Sequence, residues 1–196
     1  MEKEIETKKR KFLVFDTETT GLPKSWGAPA SDTDNWPRLV QLAWQQYDED
    51  GILIQEQETL VIPEGFLIPE ESTKVHGITT EQAVEEGNYL KEVLYRFNQV
   101  AFMSDVLVAH NMAFDEKIMG AEFIRKKIED PIELRLKVCT MLSSVKFYGK
   151  GKWPKLSELH IKLFDKDFED AHDAMVDTSA CARCFFELMK RGEIKI

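Results

Sequence analysis

Cysteine, positive charge and long apolar runs are all scarce in this sequence. Only 3 of the 196 residues are cysteines, an odd number in a chain that shows no secretory leader, so we expect a reducing, cytoplasmic setting and no disulfide framework. The first ten residues are mostly charged, and we expect neither a signal peptide nor a membrane anchor there. No apolar run approaches the roughly 20 residues that a membrane-spanning helix needs, so we expect no association with a membrane.

The deficit of positive charge limits the partners that the chain can bind. Lys and Arg number 26 against 35 Asp and Glu, which gives a formal charge of -9. That sign is wrong for a protein that grips long duplex nucleic acid by its backbone, but it allows a short substrate end bridged by cations. With 43% apolar residues the chain can bury a full core. We expect a charged, flexible leader over residues 1–10 and a single domain over residues 11–196.

Two carboxylates follow directly on an apolar run. Residues 12–15 are all apolar and predict a buried strand, and Asp16 and Glu18 continue it. Side chains two apart on a strand point to the same face, so both carboxylates can converge on one point. An unpaired buried carboxylate is costly, and its remedies are a basic partner, protonation or a metal ion. Two neighbouring acids favour the metal, with a structural ion pair to Lys or Arg as the alternative.

The rest of the chain has the pattern of an α/β protein. Residues 39–47 and 52–61 are strand-like and are joined by a turn sequence, which predicts a hairpin. Residues 106–109 predict a short buried strand that runs into a helix. Asn88 can cap a helix whose apolar residues share one face. The apolar spacing around Cys181 and Cys184 predicts a final helix with both thiols in the core, rather than a redox or zinc motif.

Two further acids lie where elements leave the predicted core. Asp115 follows the strand at residues 106–109 by about one helical turn, and Asp177 is on the inward stripe of the final helix. His172 precedes Asp177 by five residues, about 500° around a regular helix, so the two cannot face one target from the same helix. We therefore expect His172 in the preceding loop and Asp173 as the helix cap.

Three segments together resemble the motifs of one enzyme family. They read Asp16-Thr-Glu18-Thr-Thr-Gly21, His110-Asn-Met-Ala-Phe-Asp115 and His172-Asp-Ala-Met-Val-Asp177. In order and spacing they are similar to the three motifs of the DEDDh 3′→5′ exonucleases, the DnaQ-like proofreading group of the ribonuclease H-like superfamily. The resemblance extends from residue 12 to about residue 189. It implies a three-layer ribonuclease H-like fold, in which helices flank a central mixed five-stranded sheet.

The resemblance also implies a catalytic centre. By analogy, Asp16, Glu18 and Asp177 hold one divalent cation, and Asp16 also touches a second cation that Asp115 serves largely through water. Hard oxygen ligands suit Mg²⁺ or Mn²⁺, and the chain has no Cys/His cluster for zinc. His172 would take the proton from the attacking water, because histidine titrates near neutral pH. The implied product is a nucleoside 5′-monophosphate, released from the 3′ end of single-stranded or frayed nucleic acid.

Substrate contacts follow from the same resemblance. The positions that it places near the terminal nucleotide are Thr19, Gly21, Leu22, Glu71, His76, Asn111 and Phe114. Trp26 and Trp36 lie outside the family pattern, in a loop over residues 22–38; each could stack on a base or could pin the loop to the core. DNA is the expected substrate, and a DNA polymerase or a repair assembly is a further expected partner.

Other functions stay open at this point. One alternative is a 3′ exoribonuclease of the same family that acts on short RNA. The choice between DNA and RNA depends on how the pocket treats the 2′-hydroxyl of the sugar. A noncatalytic subunit of a replication or repair assembly could use the fold as a scaffold. His172 and Asp173 alone would suggest an HD-like nucleotide phosphohydrolase, which would need further histidine ligands.

Overall fold

The computed structural model describes residues 9–168 and 172–196. Within these ranges, five strands form one mixed sheet in the order β3-β2-β1-β4-β5. The strands are β1 (Phe12–Thr19), β2 (Leu39–Tyr47), β3 (Leu53–Leu60), β4 (Val106–Ala109) and β5 (Leu136–Cys139). β2 pairs antiparallel with both β1 and β3, whereas β4 pairs parallel with both β1 and β5. The predicted hairpin is β2–β3, and the α/β class with a mixed five-stranded sheet is confirmed.

Helices connect and cover these strands. Their bounds are α1 (Glu70–His76), α2 (Thr80–Glu86), α3 (Leu90–Phe102), α4 (Met112–Lys126), α5 (Thr140–Ser143), α6 (Val145–Tyr148), α7 (Leu156–Phe164) and α8 (Ala174–Lys190). The prediction that Asn88 caps a helix is wrong. Tyr89 is the N-cap residue of α3 and makes no side-chain cap bond, because the backbone of Asn88 instead bridges to Val61 beside the sheet.

The alternation of β1 divides the core into two layers. Leu13 and Phe15 belong to a buried cluster with residues of α3 and α4. Phe12 and Val14 belong to a second cluster with residues of α7 and α8. The sheet is therefore covered by helices on both faces, as the three-layer prediction requires. Among the described residues, no helix is both long and apolar enough to cross a membrane.

The predicted leader lies mostly outside the described residues. Of residues 1–10, Lys9 forms an ion pair with Asp50 at 2.6 Å, and Arg10 Nη1 donates to the Ile196 carbonyl at 2.9 Å. Cys181 and Cys184 are buried in the α8 layer, so the prediction that both thiols pack in the core is confirmed.

Candidate active site

The two acids of β1 face α8. Val14 packs in the α7–α8 layer, and strand alternation directs Asp16 and Glu18 to the same side. Glu18 lies directly opposite Gln41 of β2, and the register then shifts between Glu18 and Thr19. The shift ends the regular pairing at the point where the chain leaves the sheet, so both carboxylates lie at the carboxyl end of β1.

Asp177 enters the site from the first turn of α8. The Asp173 carboxylate caps this helix by accepting hydrogen bonds from the amides of Met175 and Val176, both at 3.0 Å. His172 precedes the cap, has a φ of 75° and is exposed. Its backbone amide donates to the Asp177 carboxylate at 3.1 Å. The sequence predicted both the cap and the position of His172 outside the helix.

Asp115 reaches the site from α4, on the other side of the sheet. It is only 2% exposed, and its carboxylate accepts a hydrogen bond from Thr17 Oγ1 at 2.8 Å. Burial raises the pKa of Asp115 to about 7, while the Thr17 bond acts in the opposite direction. Thr17 was not predicted as a site residue. Its side chain points away from those of Asp16 and Glu18, and only the packing of α4 gives it a partner there.

Burial, and then repulsion between carboxylates, makes ionisation of the site's acids costly without a cation. Burial raises the pKa of Asp16 well above its usual range, and the carboxylates of Asp115, Asp177 and Glu18 raise it further. Burial, followed by Asp177 and Asp115, raises the pKa of Glu18 to about 8. The pKa of Asp177 is also raised, mainly by burial. Buried like charges resist joint ionisation, so these groups need protons or a cation.

The donor atoms present fit a divalent cation. Ligand atoms of Glu18, His172 and Asp177 all lie within 4.8 Å of one another. The charges of Asp115, Asp177 and Glu18 all raise the pKa of Asp16, and the charge of Asp115 raises that of Glu18, so Asp16 and Asp115 lie near this group. Carboxylate oxygens are the ligands that Mg²⁺ and Mn²⁺ prefer. The geometry also brings the His172 ring close enough to be a ligand, so position alone does not separate a base from a ligand.

The predicted substrate residues fall into two groups around these acids. In the first group, Gly21 has a φ of 137°, which other residues rarely adopt, and a Cβ there would lie 3.9 Å from Ser72 Oγ of α1. Thr19 Oγ1 donates to the Gly21 carbonyl at 2.7 Å, and Leu22 is exposed. The segment from Thr19 to Leu22 therefore passes beside α1.

Helix α1 carries the other two predicted contacts of this first group. Glu71 is exposed in its first turn. His76 ends the helix, and its Nδ1 accepts a hydrogen bond from the Ile78 amide at 3.1 Å. Its buried Nε2 has no hydrogen-bond partner among the described residues. Burial lowers the pKa of His76, and an interaction of its ring with the Thr19 backbone acts in the opposite direction, so the ring lies against the segment from Thr19 to Leu22.

The second group lies at the start of α4. Asn111 precedes the helix with a φ of 78°, and Phe114 is partly buried. The neighbouring His110 is fully engaged within the protein, with Nδ1 2.9 Å from Thr140 Oγ1 and Nε2 3.0 Å from the Pro154 carbonyl. Burial lowers the pKa of His110 to about 4. The ring is therefore neutral near pH 7, with both nitrogens bonded within the protein.

The histidines do not form the cluster that an HD-like phosphohydrolase would need. His160 is buried, and its Nδ1 lies 2.8 Å from the Lys166 carbonyl. His110 is bonded at both ring nitrogens. Among the described residues, the group of possible metal ligands contains one histidine, His172.

Gln41 is a further polar residue that the sequence did not single out. It is buried, and its Nε2 donates to Glu58 Oε1 at 2.7 Å. Its Oε1 accepts a hydrogen bond from the Ala174 amide at 3.3 Å. Its position opposite Glu18 depends on the pairing of β1 with β2 across a long loop, and its contact with α8 depends on tertiary packing, so neither follows from the local sequence.

Acidic side chains from β1, α4 and α8 gather at the carboxyl end of the central strand β1. This arrangement suits a nuclease, and comparisons with known proteins agree. The family model described as Exonuclease (RNase_T) matches residues 13–185. The chain therefore belongs to this exonuclease family. The resemblance to the DnaQ-like DEDDh exonucleases is confirmed.

Relatives of the chain include proteins named as DNA polymerase III or as its epsilon subunit. A DNA polymerase III subunit epsilon-like protein of Rhodobacter capsulatus is 35% identical over 182 residues, which are 91% of this chain and 23% of that protein. The DNA polymerase III subunit epsilon of Treponema pallidum is 29% identical, over 89% of this chain and 74% of that protein. The chain spans about a quarter of the first relative and about a tenth of a PolC-type DNA polymerase III from Streptococcus mutans.

Solved structures share the fold. Exonuclease I of E. coli, in a zinc-bound complex with single-stranded DNA, superposes with a TM-score of 0.73 at 22% identity and covers 93% of this chain and 41% of that protein. Exonuclease I of Methylocaldum szegediense gives a TM-score of 0.72 at 21% identity, over 93% of this chain and 41% of that protein. The ribonuclease H-like fold is thereby confirmed.

Proposed function

We propose that this protein is a metal-dependent 3′→5′ exonuclease that removes nucleoside 5′-monophosphates from the ends of single-stranded or frayed DNA. One observation carries the proposal. Ligand atoms of Glu18, His172 and Asp177 lie within 4.8 Å of one another at the end of β1, near the partly buried Asp16 and the buried Asp115. Membership of the exonuclease family supports the same reaction class.

The acids are assigned to cation binding. Asp16, Glu18, Asp115 and Asp177 would hold two Mg²⁺ or Mn²⁺ ions, because burial raises the pKa values of all four and neighbouring carboxylates raise those of Asp16 and Glu18 further, a cost that a cation relieves. When bound, such ions supply Lewis-acid stabilisation of the charge that develops around phosphorus.

His172 is assigned as the general base. Its exposed position outside α8 lets the ring face a water molecule at the scissile phosphate and then pass the proton to solvent. The bond from its amide to the Asp177 carboxylate ties its backbone to the acid cluster. Attack by that water breaks the bond from phosphorus to the 3′ oxygen, and the released nucleotide keeps its 5′ phosphate.

The remaining predicted residues are assigned to the terminal nucleotide. Thr19, Gly21 and Leu22 lie beside α1, where the His76 ring supports the Thr19 backbone, and this segment would line the sugar and phosphate of the terminal nucleotide. Glu71, Asn111 and Phe114 would complete this pocket. DNA is the proposed polymer because relatives are named as subunits of DNA polymerase III. Association with a polymerase or a repair assembly is part of the same proposal.

The test is a cleavage time course on 5′-labelled single-stranded DNA and RNA of one sequence, with Mg²⁺ or Mn²⁺ and with chelator. The parent protein should give a ladder that shortens from the 3′ end, and chelator should abolish it. Asp16→Ala should abolish cleavage without unfolding the chain, since it removes a ligand and relieves repulsion. Glu85→Ala, which removes an exposed carboxylate from α2, is the matched control and should cleave normally.

A second variant separates the base from a ligand. His172→Ala should lower turnover by about 10²- to 10⁴-fold, the usual contribution of general acid–base catalysis, with the Mn²⁺ dependence of residual activity unchanged. If metal affinity collapsed together with turnover, His172 would be a ligand. Unchanged activity in Asp16→Ala would refute the metal assignment, and faster cleavage of RNA than of DNA would move the substrate to short RNA ends.

A further inference from the structure

An exposed tryptophan lies against the start of α4. Trp26 belongs to the loop over residues 22–38 and is 60% exposed. Its ring centroid lies 5.8 Å from that of Phe114, with the planes tilted by 46°. Phe114 directly precedes Asp115 in the first turn of the helix. Trp26 therefore extends an aromatic surface outward from the acid cluster.

The other tryptophan of the loop has a different role. Trp36 is 3% exposed and belongs to the core layer formed with α3 and α4. Its Nε1 donates to the Pro29 carbonyl at 3.0 Å. Trp36 therefore pins the loop to the core, one of the two roles considered for these residues, and Trp26 does not share it.

Hydrogen bonds fix the backbone next to Trp26. The Ser25 amide donates to Asn35 Oδ1 at 2.7 Å, and Asn35 Nδ2 donates to the Ser25 carbonyl at 3.0 Å. The Lys24 amide also donates to the Asn35 carbonyl at 3.1 Å. Because Asn35 is itself buried, the segment that carries Trp26 is held by a side chain that cannot move freely.

An ion-pair clamp holds the same loop against α4. Glu122 is fully buried and accepts hydrogen bonds from Arg38 Nε at 2.9 Å and the Leu39 amide at 3.0 Å. Arg125 pairs with Glu122 at 2.9 Å and also donates to the carbonyls of Thr33 and Trp36. The helix that carries Asp115 and Phe114 therefore also fixes the loop that presents Trp26.

We propose that Trp26, backed by Phe114, is a stacking platform for an unpaired base at the 3′ end of the substrate strand. The inference rests on the proposed function. A rigid aromatic side chain loses little conformational entropy on binding. With a net charge of -9, the protein has a weak electrostatic hold on phosphates, and stacking supplies affinity that does not depend on charge. Every base has a flat face, so such a platform tolerates any sequence.

The test is a double-mutant cycle between the ring and the base. Binding is measured by fluorescence anisotropy in Ca²⁺ on two 5′-labelled single-stranded DNA oligomers, one normal and one with three abasic sites at its 3′ end. Trp26→Ala should weaken binding of the normal oligomer by about 5- to 150-fold, the range for loss of one stacked base. Binding of the abasic oligomer should not change, and Trp26→Phe should retain most of the affinity.

Tyr95→Ala is the matched control, since Tyr95 is an exposed aromatic residue of α3, and it should bind both oligomers like the parent. The platform is refuted if Trp26→Ala weakens binding of both oligomers equally, or of neither, or if the parent binds neither. Cleavage in Mg²⁺ or Mn²⁺ is scored separately. If Trp26→Ala weakens binding of the normal oligomer alone but the parent does not cleave, the platform is upheld and the exonuclease is refuted. If the parent cleaves but Trp26→Ala has no base-dependent effect, the exonuclease is upheld and the platform is refuted.

Discussion

Glu18 shows most clearly the free-energy cost of placing ionised carboxylates in the candidate site. It lies at the end of a buried strand, and burial together with Asp177 and Asp115 raises its pKa to about 8. An ordinary glutamate titrates near pH 4.5. In the metal-free protein, therefore, folding forces this carboxyl to keep a proton or to bear an unfavourable charge.

The sign of this shift predicts how stability depends on pH. Between about pH 4.5 and pH 8 the folded state holds more protons at Glu18 than the unfolded state, so the free energy of unfolding should fall as pH rises through this window. Asp16 and Asp115, whose pKa values are raised as well, act in the same direction.

Glu18→Gln removes one of these groups and should stabilise the metal-free protein at pH 8 more than at pH 5. Each kcal/mol corresponds to about 2–4 °C in Tm for a chain of this size. The measurement is thermal unfolding in chelator at both pH values, with Glu85→Gln as the control. An equal shift in Tm at pH 5 and pH 8 would contradict the assignment of the repulsion to Glu18.

At the scale of elements, Gln41 connects the three pieces of structure that build the site. It sits in β2 opposite Glu18 of β1, and its side chain bonds both Glu58 of β3 and the Ala174 amide at the start of α8. The Asp177 carboxylate lies one turn beyond that amide. Gln41 therefore fixes the distance between the acids of the sheet and the acid of the helix.

Gln41→Leu should weaken metal-dependent activity by about 10- to 100-fold, the usual cost of losing a residue that orients metal ligands, and should raise the Mn²⁺ concentration for half-maximal rate. Gln57→Leu is the matched control, because within the described part of the chain the Gln57 side chain donates to Thr59, two residues away on β3, and forms no hydrogen bond with α8. A Gln41→Leu protein that lost stability but kept the parent's Mn²⁺ dependence would show that Gln41 supports the fold alone.

At the scale of the whole molecule, charge sets the mode of binding. The chain carries -9, and the site itself is a cluster of acids. If few phosphates are contacted, affinity for single-stranded DNA should fall only slowly with salt, with a slope of about -0.7 per phosphate. Binding in Ca²⁺ should weaken by less than about tenfold between 50 and 200 mM salt, as expected for about two phosphate contacts. A loss of 10³-fold or more would indicate an extended basic track that the net charge does not suggest.

Much of this arrangement follows from the sequence itself. The apolar run before Asp16 and the alternation of a strand predicted that Asp16 and Glu18 face the same side, and the capping preference of aspartate predicted where α8 begins. These are local effects, because strand alternation and helix capping act over a few neighbouring residues. The spacing of the three motifs then identified the family, and with it the mixed five-stranded sheet.

Other features were decided by contacts between residues far apart in the chain. Asn88 could cap a helix by its local pattern, but its backbone pairs with the sheet instead. Thr17 bonds Asp115 across 98 residues, and Gln41 reaches α8 across 133. Trp26 and Trp36 share one loop, yet one is exposed and the other buried. Periodicity along the chain predicts which residues share one face of a helix or strand. Only the packing of elements far apart in the sequence decides which residues that face contacts.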